Sequence, residues 1–165
     1  MNIVKSISSP KITVIGVGNL LLRDEGVGVR TVEYIIENHL LPADIEVIDG
    51  GTGGMKIVSL IQNTDYLIII DAVNGRGMAG DICRLTINDI SPMVKQKRTL
   101  HGIGMQEVFS LLQLMGGKMP ETIVIGVAPM DISYGDKLSP KIKRAVPKIA
   151  AKVIKEVKNI QERCL

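Results

Sequence analysis

The sequence predicts an α/β protein, a three-layer sandwich in which a mostly parallel central sheet of about five strands is flanked by helices on both faces. Two observations carry that expectation. Short runs of β-branched and aliphatic residues, each stopped by glycine or a carboxylate, read as strands buried on both faces. Between them lie segments whose apolar residues recur at helical spacing. Strands that alternate with helices favour parallel neighbours, because a parallel pair needs a crossover connection.

The first run, ITVIGV at Ile12–Val17, is the first strand. Val27, Val32, Ile35, Ile36 and Leu40 then recur on one helical stripe up to Pro42, which predicts a helix over residues 25–38. His39, at the end of that helix, reads as a solvated C-terminal cation. Residues 45–49 form the next strand, the glycine-rich residues 50–54 a loop, and residues 55–61 a short helix. The most hydrophobic strand covers residues 66–71 and ends on a carboxylate. A further strand is expected at 81–87. The helix after His101 carries Met105, Val108, Phe109, Leu112 and Met115 on one stripe, and Gly116-Gly117 ends it. Residues 122–127 are another apolar strand. Ser139-Pro140 reads as an N-cap followed by proline at the first helical position, opening a last helix that turns Ile142, Val146, Ile149, Val153, Ile154, Val157 and Ile160 inward and its lysines outward.

With 165 residues and 45% apolar content, the chain is expected to form a single domain over residues 1–165. A net charge of +3, from 20 basic and 17 acidic side chains, gives no strong footprint for nucleic acid. The few aromatics, Phe109, Tyr34, Tyr66 and Tyr134, are too scattered for a base-stacking platform. Cys83 and Cys164 lie far apart and imply neither a disulfide framework nor a paired-cysteine zinc site. The first residues lack the apolar run of a secretory signal, and no stretch is long enough to span a bilayer, so a cytoplasmic protein without nucleic-acid or membrane partners is expected.

In open α/β sheets, ligands bind beyond the carboxyl ends of the strands. Four polar or glycine-rich segments fall there: Gly16-Val17-Gly18-Asn19 running on to Asp24-Glu25, Asp49-Gly50-Gly51-Thr52, Asp71-Ala72, and Ala128-Pro129-Met130-Asp131. The first begins like a dinucleotide fingerprint and then departs from it. Leu21 stands at the third glycine position, and Asp24 and Glu25 sit where a pyrophosphate needs a helix N-terminus free of negative charge. Taken singly, Asp24 or Glu25 has an ordinary explanation in the helix dipole, and Asp71 in strand-end hydrogen bonding. His101 falls at the expected start of a helix, which disfavours imidazolium and keeps a ring nitrogen available to a metal. The run Lys95-Gln96-Lys97-Arg98 reads as a solvated loop, or as a contact for an acidic partner.

In order and approximate spacing, the segment Ile15-Gly16-Val17-Gly18-Asn19-Leu20-Leu21-Leu22-Arg23-Asp24-Glu25-Gly26-Val27-Gly28, then Asp49-Gly50-Gly51-Thr52, Asp71-Ala72 and Leu100-His101, resembles the hydrogenase maturation protease family. The similarity runs from Ile12 to about Ala150, and the glycine-rich opening joined to Asp-Gly-Gly-Thr is its specific part. The resemblance implies an endopeptidase that removes a C-terminal peptide from the nickel-loaded large-subunit precursor of a [NiFe] hydrogenase. It implies that Glu25, Asp71 and His101 bind nickel supplied by the substrate, with Asn19, Asp49, Gly50, Gly51 and Thr52 as candidates for the substrate cleft. An imidazole and two carboxylates leave coordination positions open for a partner's ligands. The metal would polarise the scissile carbonyl or activate a water, with either Glu25 or Asp71 holding that water. Residues 130–136 are expected to face the substrate. The alternatives are a nickel-sensing chaperone that cuts nothing, a Rossmann-like dinucleotide domain, and a general metallopeptidase.

Overall fold

A computed structural model describes residues 9–86, 88–89 and 105–164. Five strands form one sheet in the order β2-β1-β3-β5-β4: β1 is Ile12–Val17, β2 Glu46–Gly51, β3 Tyr66–Ala72, β4 Ile82–Thr86 and β5 Glu121–Val127. Four α-helices are present among the described residues, α1 Val27–Glu37, α2 Gly54–Ile61, α3 Met105–Leu114 and α4 Pro140–Arg163. The strands β2, β1, β3 and β5 run parallel, and β4 lies antiparallel against β5 at the edge. The expected α/β sandwich is therefore present. The direction of β4 is the feature its residue pattern did not announce.

Alternation along the buried strands sorts the core into two layers. Ile12, Val14, Ile68, Ile70, Ile123 and Ile125 face α1 and α4, whose Val32, Ile35, Ile149 and Val153 complete that layer. Ile15, Leu67, Ile69, Leu85 and Val124 face α2 and α3 and meet Ile57, Ile61, Val108 and Leu112. Each fully buried aliphatic side chain contributes roughly 1.5–3 kcal/mol relative to exposure. Sheet position is thus set by aliphatic packing on both faces.

Three local expectations are corrected. Residues 23–26 form a 3-10 turn, and α1 begins only at Val27. Met115, expected inward, is 59% exposed, because α3 ends at Leu114 and Gly116 turns the chain with a φ of 73°. Ser139 does precede α4, but its side chain caps nothing there and bonds elsewhere. Among the described residues no helix is long and apolar enough to cross a membrane.

At the amino edge, Asp65 ties β1 to β5. The Lys11 N–H donates to one carboxylate oxygen at 2.9 Å and the Lys118 ammonium to the other at 2.8 Å. The Lys118 hydrogen bond, followed by that from Lys11, holds this carboxyl below its ordinary value. A carboxyl that titrates lower when folded adds stability above its unfolded value, about pH 4, and that contribution is lost as pH falls through the folded value. Asp65→Asn is therefore expected to lower the melting temperature slightly at pH 7, by about 1–3 °C for so exposed a pair, and the gap to the parent should be narrower at pH 3. Thermal unfolding at the two pH values checks it.

Candidate functional site

The carboxyl ends of β1, β2, β3 and β5 are knit together by their own loops. Gly18 donates its N–H to the Gly51 carbonyl at 2.9 Å, which joins the loop after β1 to the end of β2. Arg23 and Asp24 donate to the carbonyls of Gly135 and Asp131, both at 3.0 Å, which joins the same loop to the one after β5. The 3-10 turn itself lies against β3.

Glycines make this approach possible. Gly28 has no space for a side chain, because a Cβ there would run into the carbonyls of Ile70 and Val17. Gly18 has a φ of 141°, and a Cβ on it would strike the Glu25 carbonyl. The two contacts bring the turn carrying Glu25 to the end of β3, where Asp71 directly follows Ile70.

The two adjacent carboxylates of the turn have opposite environments. Asp24 is fully buried and accepts four hydrogen bonds, from the N–H groups of Met130, Asp131 and Ser139 at 3.0, 2.9 and 2.7 Å and from the Ser139 hydroxyl at 2.8 Å. Glu25 is partly buried, and among the described residues its carboxylate has no hydrogen bond or ion pair. Asp24 is thus the clamp that holds the 3-10 turn to the β5–α4 loop. Glu25 has no comparable set of donors among the described residues.

Asp71 is partly buried, shares the alternation of Leu67 and Ile69 toward the α2 and α3 face, and already interacts with a neighbouring group. The other members of the expected set are mixed. The Asn19 carboxamide oxygen accepts the Leu21 N–H, and the Asp49 carboxylate accepts the Gly51 N–H, so both side chains shape their own turns. Gly50 is buried where a Cβ would press on Ile15, Gly51 has a φ of 49°, and Thr52 is exposed. His101 and the basic run 95–98 lie outside the described residues. Among the described residues, no group of three His, Cys, Asp or Glu side chains is arranged to hold a metal ion.

Sequence reasoning missed the roles of Asp24 and Arg23. Arg23 has a φ of 45°, a left-handed backbone that L residues rarely adopt, and its side chain lies over Gly135. Its Nε is 3.3 Å from an Asp131 carboxylate oxygen, yet it is sealed from solvent without an aligned hydrogen bond. Asp131 titrates below its ordinary value, chiefly through hydrogen bonds from Ser133 and secondarily through the Arg23 charge.

Fold and site together define an α/β protein whose carboxyl edge is built from the loops after four parallel strands, where a turn carrying a glutamate unpartnered among the described residues packs against the strand that ends in an aspartate. A model of the hydrogenase maturation protease family (HycI) matches residues 29–156. The chain is 34% identical over 137 residues to the hydrogenase 2 maturation protease of Escherichia coli K12, a match covering 82% of this chain and 84% of that one. It is 33% identical over 150 residues to the hydrogenase expression/formation protein HupD of Rhodobacter capsulatus, covering 90% of this chain and 71% of that protein. It spans 64% of the length of the HupD of Thiocapsa roseopersicina. Among solved structures, the E. coli hydrogenase maturating endopeptidase HybD superposes with a TM-score of 0.79 at 31% identity, covering 90% of this chain and 93% of that one. The chain belongs to the hydrogenase maturation protease family, a family of peptidases.

Proposed function

We propose that this protein removes a C-terminal peptide from the large-subunit precursor of a [NiFe] hydrogenase once nickel has been inserted, and that it recognises the precursor through that nickel. The reading rests most on Glu25, a partly buried carboxylate without a partner among the described residues, held at the carboxyl edge next to β3. Asp24 beside it is fully satisfied by protein donors, whereas Glu25 could take a cation without giving up a hydrogen bond to a described residue. With Asp71 and His101, Glu25 would supply two hard oxygen donors and one imidazole, a set suited to a divalent first-row metal that brings its remaining ligands from the substrate. A metal so placed would polarise a carbonyl or acidify a water. Glu25 or Asp71 would hold that water, and the glycines where β2 gives way to α2 would let the scissile chain approach the backbone closely.

The test mixes the purified protein with nickel-loaded and nickel-free precursor and follows the precursor's mass. Shortening of the loaded form alone is expected. Binding of the loaded precursor without shortening would leave a nickel-sensing chaperone, and equal cleavage of both forms would remove nickel from recognition.

A further inference from the structure

The loop after β1 and the loop after β5 form a small parallel pairing of their own, in which Leu22 bridges to Gly135 and the Gly135 N–H donates to the Leu21 carbonyl at 2.9 Å. Exposed apolar side chains collect on it. Leu21, Met130, Ile132 and Tyr134 are 66%, 62%, 44% and 88% exposed. Among the described residues these are four of the nine large apolar side chains that are exposed, and their gathering on two hydrogen-bonded loops is the kind of surface that serves interaction.

Arg23 lies within this surface, two residues from Glu25. Its backbone adopts the left-handed conformation that glycine or asparagine would accept more easily, and its Nε is buried without an aligned hydrogen bond. The outer guanidinium nitrogens make no hydrogen bond among the described residues, and the side chain is 39% exposed. A strained backbone that places a cation at the rim of a candidate active site is the kind of outlier from which a role can be argued. Arginine and tyrosine, moreover, are the side chains that most often anchor protein interfaces.

We propose that Arg23, with Leu21, Met130, Ile132 and Tyr134, is the surface on which the protein substrate docks, and that Arg23 takes a substrate carboxylate flanked by apolar side chains. The inference rests on the proposed function and goes beyond it by assigning substrate specificity to residues outside the expected nickel set. Arg23 is a specificity-determining residue here and takes no part in the bond cleavage.

Steady-state cleavage of nickel-loaded large-subunit precursor tests it, comparing the parent with Arg23→Asn, Arg23→Lys and Tyr134→Ser. Asparagine tolerates the left-handed backbone, so Arg23→Asn is expected to keep its melting temperature within about 3 °C. It is expected to raise KM about tenfold while kcat changes less than about twofold. Arg23→Lys should fall between it and the parent, and added salt should raise the parent's KM more steeply than that of Arg23→Asn. Tyr134→Ser, which alters a ring in open solvent, should raise KM on its own and keeps the test independent of how Arg23 variants fold. A parent that cleaves, with both Arg23→Asn and Tyr134→Ser at the parental KM, overturns the docking surface and leaves the proposed function standing. A parent that neither binds nor cleaves the precursor overturns the proposed function itself.

Discussion

Asp24→Ala and Glu25→Gln are expected to fail in opposite ways, although the two residues are neighbours with the same charge. In Asp24→Ala, three backbone N–H groups and the Ser139 hydroxyl lose their shared acceptor. Each buried donor left without a partner costs about 1–3 kcal/mol, so a total of about 4 kcal/mol or more is expected, a large part of the 5–15 kcal/mol that holds a typical domain folded. Asp24→Asn should be milder, at about 2–4 kcal/mol, because its amide oxygen can replace one carboxylate oxygen while its NH2 faces donors. Ser139→Ala removes the hydroxyl from the same cluster, and combining it with Asp24→Asn should cost less than the two single losses added together. Chemical denaturation of the four proteins measures this cycle.

Glu25→Gln should leave the same denaturation curve within about 0.5 kcal/mol, since no hydrogen bond or ion pair among the described residues is lost. Cleavage of nickel-loaded precursor should instead fall by at least about a hundredfold, because the amide cannot supply an anionic oxygen to a metal or to a positioned water. Stable folding with parental cleavage in Glu25→Gln would remove this residue from the site. Parental stability in Asp24→Asn would show that the four hydrogen bonds are not what fastens the turn.

These two carboxylates also show where the sequence stops being legible. The strands were readable because ITVIGV, YLIIIDA and ETIVIGV are continuous aliphatic runs, and only a strand covered on both faces tolerates such a run in this setting. The carboxyl edge followed from strand direction, and the polar segments after β1, β2 and β5 meet there through hydrogen bonds as the parallel topology requires. Nothing local, however, distinguishes a clamp from a free acid in Asp24-Glu25. The distinction depends on donors from Met130, Asp131 and Ser139, which only the tertiary fold brings to one of the two. Arg23 was hidden for a related reason. A left-handed residue is ordinarily signalled by glycine or asparagine, and here arginine occupies the position. The antiparallel setting of β4 depends on its pairing with β5, and a strand's own residues do not encode the direction of its neighbour.

Gly28→Ala is expected to destabilise the protein by about 3 kcal/mol or more, against the sign that helix propensity predicts. On an open helix, replacing glycine with alanine gains roughly 0.8–1 kcal/mol. Gly28 lies in the first turn of α1 and is completely enclosed, with the carbonyls of Ile70 and Val17 where a Cβ would go and the Val17 nitrogen 2.8 Å from that point. All three atoms belong to the backbones of the adjacent interior strands β1 and β3, so they cannot rotate away as a side chain would. Relief requires α1 to lift from the sheet. Gly16 would be disturbed with it, because its own missing side chain makes room for the Gly28 carbonyl. The same shift would carry the 3-10 turn, and Glu25 with it, away from the end of β3. Loss of cleavage is therefore expected even at temperatures where Gly28→Ala stays folded, which separates it from a variant that is merely less stable. Gly116→Ala is the control: its φ of 73° is also unfavourable for alanine, but nothing lies within 4 Å of the added carbon. It should cost only about 1 kcal/mol and leave cleavage of folded protein unchanged. Equal stability of Gly28→Ala and the parent would mean that α1 does not rest on the sheet through this glycine.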